Sequence, residues 1–334
     1  MRIRTCVAAG TCLLAASMAF AQQTTPALPL VPAGQTKRAA VQPAPKPVYD
    51  ETADGKAQIA AAIAKAKKNN SRVLIQWGGN WCGWCTLLHN TFQKDKAIAR
   101  ELLYEYEVVY LDTGGPKDKN MDLAASYSAD VKKQGFPYLT ILDAAGKPLA
   151  NQETSSFENK DQEAAKGHDP KLVLDFLRKY KPEYMAASQV LDSGLAEAKK
   201  SGRTAFVHFG APWCGWCHKL EDWMARPEVN AILSKDFVDI KIDQDRTEGG
   251  KDMLEKYSDG KSGGIPWIVF LDGDGKALIN SNASKGNIGF PSESAEIEHF
   301  EVMLKKVAKN MTAADIAVLV KSLKDVKAAS SGAH

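Results

Sequence analysis

Four cysteines fall in two identical tetrapeptides, Cys82-Gly-Trp-Cys85 and Cys214-Gly-Trp-Cys217. Cysteines three positions apart in the first turn of a helix lie on one face, where they can form a disulfide bond or attack a foreign sulfur in succession. A structural disulfide owes its stabilising effect to closing a longer loop than this one. The spacing therefore predicts two reactive dithiols rather than a disulfide framework.

The start of a helix also favours the reactive form of the leading cysteine. Unpaired backbone N–H groups and the positive end of the helix dipole stabilise a thiolate, which is the true nucleophile. A dipole effect of up to about 2 kcal/mol lowers the pKa of a thiol by only about 1.5 units, so any larger shift requires direct hydrogen bonds to the sulfur. We predict that Cys82 and Cys214 are the nucleophiles and that Cys85 and Cys217 are the resolving thiols, which release the mixed disulfide.

The segments around the two tetrapeptides repeat in the same order. In 71–112 and again in 203–243, an apolar strand leads through a glycine-containing turn into the cysteine pair at the start of a helical pattern, and a second helix and another strand follow. Further along, GFPYLTILD at 135–143 matches GIPWIVFLD at 264–272. The chain is therefore an internal duplication.

Helical patterns also flank each repeat, at 55–68 and 170–180 around the first and at 187–200 and 293–308 around the second. This order of elements predicts an α/β fold class, in which a mixed sheet is covered by helices on both faces. A capping-box sequence at Thr312 predicts one more amphipathic helix near the C-terminus.

Both repeats resemble domains of the thioredoxin superfamily, especially an exported group with a Trp-Cys-Gly-Trp-Cys site. The site stands between a strand and a helix in each repeat, and an apolar residue followed by proline precedes a later strand, which makes the resemblance specific. It covers nearly all of 50–308. The resemblance implies two tandem thioredoxin-like folds, each with a mixed central sheet flanked by helices.

The resemblance also implies which residues bind substrate. In the family, the proline before the last central strand is cis and packs beside the cysteine pair, and the backbone of the residue before it pairs with the bound peptide. A tryptophan precedes the nucleophile. The matching residues of this chain are Trp81, Phe136 and Pro137 at the first site and Trp213, Ile265 and Pro266 at the second.

The N-terminus has the pattern of a secretory signal peptide. Arg2 and Arg4 precede a short apolar run that leads into Ala19-Phe20-Ala21, an A-x-A cleavage site. The run is well short of the roughly 20 residues of a membrane-spanning helix. We expect a protein that does not span the membrane and that is periplasmic or secreted after signal-peptide cleavage.

The domain organisation follows from these patterns. We predict a signal peptide at 1–21, a disordered linker rich in Pro and Ala at 22–48, a first thioredoxin-like domain at 49–184, a second at 185–310, and a C-terminal helix and tail at 311–334. Without the signal peptide the chain has 41 Lys and Arg against 40 Asp and Glu. Such a balance indicates neither nucleic acid nor a membrane surface as a partner.

The direction of electron flow is the least determined part of the function. The Gly-Trp between the cysteines matches neither the Gly-Pro of reducing thioredoxins nor the Pro-His of strongly oxidising periplasmic enzymes, whereas Ile265 before the proline resembles the reductive type. We predict a reductase of protein disulfides without a cofactor, with an upstream membrane or periplasmic electron donor. Disulfide isomerase or oxidase activity remains the alternative. A change of 30 mV in the reduction potential, about 1.4 kcal/mol, can reverse the direction of electron transfer.

Three hypotheses from other functional classes were also considered. One domain can serve as a redox-linked module that only holds substrate. Cys214-Gly-Trp-Cys217-His218 has the form of a haem-attachment sequence, although Thr86 replaces the histidine in the first repeat. Zinc shared by both cysteine pairs would require the two helix starts to face each other, which nothing in the sequence supports, so no metal site is predicted.

One departure from the family separates the two repeats. Thioredoxins place a buried acid six residues before the nucleophile, but Gln76 and His208 occupy that position here. Both can be satisfied polar residues of the sheet. The functional hypothesis is that His208 transfers a proton, which Gln76 cannot, so that the second domain resolves mixed disulfides with a pH dependence of its own. His89, His168, His299 and His334 are isolated in the sequence and are predicted to lie at the surface.

Overall fold

Two copies of one arrangement make up the part of the chain that the computed structural model describes, residues 47–161 and 165–331. Each copy is a four-stranded mixed sheet with helices packed on both faces. The predicted α/β class and the predicted duplication are confirmed. The predicted signal peptide and nearly all of the predicted linker lie outside the described residues.

The first unit runs from α1 to α6. Its helices are α1 (Gly55–Asn69), α2 (Gly83–Lys94), α3 (Lys96–Glu105), α4 (Met121–Ser126), α5 (Val131–Gln134) and α6 (Pro170–Tyr180). Its strands are β1 (Arg72–Gly78), β2 (Tyr106–Asp112), β3 (Tyr138–Leu142) and β4 (Pro148–Glu153). The strand order is β2-β1-β3-β4, with β2 parallel to β1 and the other neighbours antiparallel.

The second unit repeats this topology from α7 to α12. Its helices are α7 (Ala187–Ser201), α8 (Gly215–Met224), α9 (Pro227–Leu233), α10 (Gly250–Ser258), α11 (Ser294–Val307) and α12 (Ala313–Ser331). Its strands are β5 (Thr204–Gly210), β6 (Phe237–Asp243), β7 (Trp267–Leu271), β8 (Ala277–Asn280), and the two-residue β9 (Asn282–Ala283) and β10 (Gly286–Asn287). The main sheet has the order β6-β5-β7-β8.

The central strands β1 and β5 are buried on both faces, which explains their nearly continuous apolar sequence. Alternate residues of a strand point to opposite faces. Val207 packs with the α7 side, whereas Phe206 packs with Leu220 of α8. His208 has the parity of Phe206, so it lies on the sheet face that the cysteine-bearing helix covers.

The predicted C-terminal helix is α12, and it belongs to the core of the second unit. The Thr312 hydroxyl accepts the N–H of Asp315 at 3.2 Å, and the Asp315 carboxylate accepts the N–H of Thr312 at 2.8 Å, which forms the predicted capping box. Leu319 and Leu323 are buried in the same cluster as α11. No helix among the described residues is long and apolar enough to cross a membrane.

The two units are joined by a polar contact that the sequence patterns do not indicate. Arg246, after β6, lies with its guanidinium 3.0 Å from the Glu105 carboxylate, and both side chains are at most 5% exposed. The same guanidinium donates at 2.7 Å to the carbonyl oxygens of Asn69 and Asn70, at the end of α1. These carbonyls are among the groups that a helix leaves unpaired, so Arg246 caps α1 from the other unit.

Candidate active sites

Each cysteine pair lies at the start of a helix. Cys82 is the N-cap of α2 and Cys214 the N-cap of α8, and each sulfur accepts the backbone N–H of the second cysteine of its pair at 3.1 Å. Both pairs are disulfide-bonded in this structure. The sulfur that accepts this hydrogen bond also lies at the positive end of the helix dipole. Both interactions favour a thiolate there after reduction.

Exposure distinguishes the two cysteines of each pair. Cys85 and Cys217 are fully enclosed, at 0% and 1% exposure, whereas Cys82 and Cys214 keep 7% and 4%. A foreign sulfur therefore reaches the leading cysteine first. The second cysteine of each pair is shielded from such an approach.

The residues matched to the family's substrate-binding positions lie beside the sulfurs. The Phe136-Pro137 and Ile265-Pro266 peptide bonds are both cis. The carbonyl oxygen of Ile265 lies 3.6 Å from the Cys214 sulfur. The ring of Phe136 meets the ring of Trp81 edge to face at 5.5 Å.

Exposed tryptophans form the rim of both sites. Trp81 and Trp213 are 50% and 54% exposed. The Trp213 indole N–H donates to the Asp245 carboxylate at 2.8 Å, which fixes the ring next to Cys214. Trp216, between the cysteines of the second site, is equally exposed and stacks on Phe290. Large exposed aromatic surfaces of this kind mark a contact surface for another molecule.

The floor beneath the first cysteine pair is built mainly from aromatic side chains and one amide. The Gln76 amide donates to the Tyr49 hydroxyl at 2.7 Å and to the Cys85 carbonyl oxygen at 3.1 Å. Tyr110 packs edge to face on Tyr49 and on His89. Burial raises the pKa of Tyr49 far above its ordinary value, raises that of Tyr110 to about 12 and lowers that of His89, so these groups are uncharged at neutral pH.

Tyr49 is the residue of the first site that the sequence analysis did not single out. It is 1% exposed and packs on Cys82 and Cys85. Only a glycine fits at position 78, because an added Cβ would lie 2.5 Å from the Cys85 sulfur and 2.7 Å from the Tyr49 hydroxyl oxygen. The one signal in the sequence is that Tyr49 is the first aromatic residue after a long segment without any.

The floor beneath the second cysteine pair is charged. His208 Nε2 lies 2.9 Å from Asp239 Oδ1, and Glu221 Oε1 lies 2.8 Å from Lys241 Nζ. A Cβ added at Gly210 would lie 3.4 Å from the Cys217 sulfur and 4.0 Å from Glu221 Oε1. The Glu221 carboxylate thus approaches the second pair where the Tyr49 hydroxyl approaches the first.

Both carboxylates of this charged floor are ionised at neutral pH. Burial works to raise the pKa of Asp239, but the neighbouring His208 and then Lys68 hold it well below its ordinary value. Burial likewise opposes the ionisation of Glu221, and Lys241 followed by His208 lowers its pKa nevertheless. His208 thus contacts the Asp239 carboxylate and lies near enough to the Glu221 carboxylate to lower its pKa.

One of the histidines predicted at the surface is buried, and another, His334, lies outside the described residues. His168 is 3% exposed, and its ring meets the ring of Trp84 edge to face at 5.6 Å. The prediction was wrong because Glu158 and His168 form a β-bridge, which places this part of the loop against the first site. Burial lowers the pKa of His168 to about 4.

This burial predicts a pH dependence of stability. Between pH 6.5 and 4 the unfolded chain binds a proton on His168 that the folded chain does not, so the free energy of unfolding falls as the pH falls. We expect His168→Gln to remove on the order of 2 kcal/mol of this acid destabilisation. Urea unfolding of the oxidised proteins at pH 7, 5.5 and 4 measures it. Parallel losses in wild type and variant would contradict the prediction.

Comparison with known proteins finds one thioredoxin-like match in each unit. Residues 59–176 match the family model described as "Thioredoxin-like domain", and residues 186–273 match the model described as "Thioredoxin-like". The first match begins within α1 and ends within α6, and the second runs from α7 to the turn after β7. Each match includes one cysteine pair.

Individual relatives are more distant. The chain is 27% identical over 227 residues, 63% of this chain and 46% of the relative, to "Protein disulfide-isomerase like 2-2" of Arabidopsis thaliana. It is 24% identical over 227 residues, again 63% of this chain and 47% of the relative, to "Protein disulfide isomerase-like 2-3" of Oryza sativa subsp. japonica. The chain thus spans just under half the length of these curated relatives.

Among solved structures, the disulphide isomerase from Xylella fastidiosa Temecula1 shares 26% identity with a TM-score of 0.34. The match covers 40% of this chain and 95% of the solved one.

Proposed function

We propose that this chain, which belongs to the thioredoxin superfamily and carries two tandem thioredoxin-like domains, is a thiol-disulfide oxidoreductase that reduces disulfide bonds in proteins. The observation that carries the proposal is the matched pair of sites. In each, a more accessible cysteine at a helix start lies next to a buried partner, and an exposed tryptophan stands beside it.

The reaction consists of two exchanges. The thiolate of Cys82 or Cys214 attacks one sulfur of the substrate disulfide, the substrate S–S bond breaks, and the other substrate sulfur leaves as a thiolate that takes up a proton. The resolving cysteine, Cys85 or Cys217, then attacks its partner's sulfur and releases the second substrate thiol. The substrate gains two electrons, and the site ends as the disulfide seen here, to be reduced again by an external dithiol.

The rim residues supply the substrate contacts in this proposal. Trp81 and Phe136 present an apolar surface beside Cys82, and Trp213 and Ile265 do so beside Cys214. The Phe136-Pro137 and Ile265-Pro266 pairs offer backbone groups to an extended peptide. This arrangement suits a protein substrate, because a backbone contact accepts many sequences and an aromatic surface binds apolar side chains.

The two sites divide the work unequally. Release of the mixed disulfide requires the resolving thiol to lose its proton. The first floor offers an amide, two phenols and an uncharged imidazole, whereas the second floor holds His208 against the Asp239 carboxylate, with the Glu221 carboxylate nearby. We therefore assign proton transfer to His208 and the faster turnover at neutral pH to the second site.

Disulfide isomerisation is the second candidate, and the names of the two relatives favour it, since both are described as similar to protein disulfide isomerases. Ile265, which resembles the residue of reductive thioredoxins, favours reduction. We further propose that the protein is exported to the periplasm or beyond. A membrane or periplasmic dithiol regenerates its two sites there.

Two assays with the same preparation decide between the candidates. We expect the reduced protein to accelerate the reduction of insulin disulfides by dithiothreitol, and to recover the activity of scrambled ribonuclease A only slowly. Faster recovery of ribonuclease than reduction of insulin would replace reductase by isomerase. Inactivity in both assays, with free thiol titration showing four reduced cysteines, would reject the oxidoreductase function.

A further inference from the structure

Three chains of contacts run from the first unit to the surroundings of the second cysteine pair. The first begins at Lys68, in the last turn of α1. Its ammonium group lies 2.9 Å from Asp239 Oδ2, and the other oxygen of that carboxylate is the one that faces His208. A cation of the first unit thus neutralises the acid that holds the buried histidine of the second.

The second chain begins one residue later. The Asn69 side-chain oxygen accepts a hydrogen bond from Lys241 Nζ at 2.9 Å, and the same ammonium group lies 2.8 Å from the Glu221 carboxylate. Lys241 and Glu221 are 12% and 11% exposed. A largely buried ammonium group requires several acceptors to offset the loss of hydration, and Asn69 supplies one of them.

The third chain reaches the rim. The Tyr104 hydroxyl of α3 donates to Asp245 Oδ2 at 3.1 Å, and the same oxygen accepts the indole N–H of Trp213 at 2.8 Å. Among the hydrogen bonds and ion pairs of the described residues, none leads from the second unit to Gln76, Tyr49 or Trp81 in this way. Among the described residues, the second site therefore receives contacts of this kind from the first unit, and the first site receives none from the second unit.

We propose, on the basis of the function proposed above, that the first unit completes the second reaction site, and that Lys68, Asn69 and Tyr104 are positioning residues for thiol-disulfide exchange at Cys214. None of the three touches the sulfurs. Each contacts a residue of the second unit that in turn contacts a group of the reaction site. Lys68 pairs with Asp239, which contacts His208. Asn69 accepts from Lys241, which pairs with Glu221, and Tyr104 donates to Asp245, which accepts from Trp213.

The Lys68 chain makes the proposal measurable. The charged groups facing His208 are Asp239 and Lys241 of β6, Glu221 of α8 and Lys68 of α1, whereas its neighbour across β7, Ile268, is uncharged. Loss of the Lys68 ammonium group leaves this set more negative. A more negative surrounding disfavours a thiolate, so the pH midpoint of exchange at Cys214 must rise.

The test uses the full chain with Cys82→Ser and Cys85→Ser, so that only the second pair reacts. The rate of exchange with a glutathione-based disulfide is followed from pH 5 to 9. Lys68→Met is expected to raise the pH midpoint by about half a unit, which matches a partly exposed ion pair. Lys68→Arg, which restores the charge, is expected to return the midpoint to its starting value.

The matched control is Lys67→Met, one position earlier on the same helix. Lys67 is exposed and forms no ion pair among the described residues, yet the substitution changes the net charge equally. A midpoint that moves equally in Lys67→Met and Lys68→Met, or in neither, overturns the proposal while exchange itself continues. Absence of exchange in the parent with an intact second pair would instead reject the oxidoreductase function.

Discussion

Replacing both Cys82 and Cys214 by serine is expected to reduce the catalysed reduction of insulin disulfides to the uncatalysed rate, a loss of about 10³-fold or more. A serine hydroxyl forms no mixed disulfide, so neither site can accept the first sulfur from a substrate. The buried neighbours Cys85 and Cys217 cannot take over, since they are 0% and 1% exposed. The measurement is the initial rate of insulin precipitation with dithiothreitol.

Single variants resolve the contributions of the two sites. Cys214→Ser is expected to lose more activity at pH 7 than Cys82→Ser, because the second floor holds ionised carboxylates beside His208. Cys85→Ser and Cys217→Ser are the matched controls, since each keeps the nucleophile and is expected to accumulate a mixed disulfide that mass spectrometry detects. Activity in the double variant above the uncatalysed rate, with circular dichroism unchanged, would mean that the cysteine pairs do not carry the reaction.

The sequence was most informative where chemistry and structure lie in contiguous residues. A strand, a turn, a cysteine pair and a helix follow one another within about twenty positions, and their repetition at 71–112 and 203–243 predicted the two sheets correctly. Capping residues such as Thr312 mark helix starts through purely local hydrogen bonds, which is why α12 was also predicted correctly.

Such local patterns do not predict contacts between segments that are distant in the sequence. Tyr49 forms part of the first floor although it follows a segment with the composition of a linker, and nothing in its neighbours indicates burial. His168 was misplaced for the same reason, because a loop that folds back has no periodicity. Position alone did single out His208, but its partner Asp239 and the cation beyond it, Lys68, join parts of the chain that no local signal connects.

The contact between the two units is expected to contribute strongly to stability. Arg246→Leu would leave the Glu105 carboxylate buried without its cation, and the carbonyls of Asn69 and Asn70 without their donor. Breaking a buried pair in this way costs about 3 to 5 kcal/mol. The measurement is the free energy of unfolding of the oxidised protein in guanidinium chloride at pH 7.

A second substitution distinguishes two contributions to the loss of stability, namely the buried unpaired charge and the lost packing. Adding Glu105→Leu to Arg246→Leu is expected to recover much of the loss, because the pair then leaves no uncompensated charge in the interface. Lys171→Met is the matched control: its ion pair with Asp175 is 78% and 54% exposed, and its loss should leave the free energy of unfolding almost unchanged. If Arg246→Leu costs no more than Lys171→Met, the Arg246–Glu105 pair does not hold the two units together. The contacts that Lys68, Asn69 and Tyr104 make with the second site would then have to persist without it.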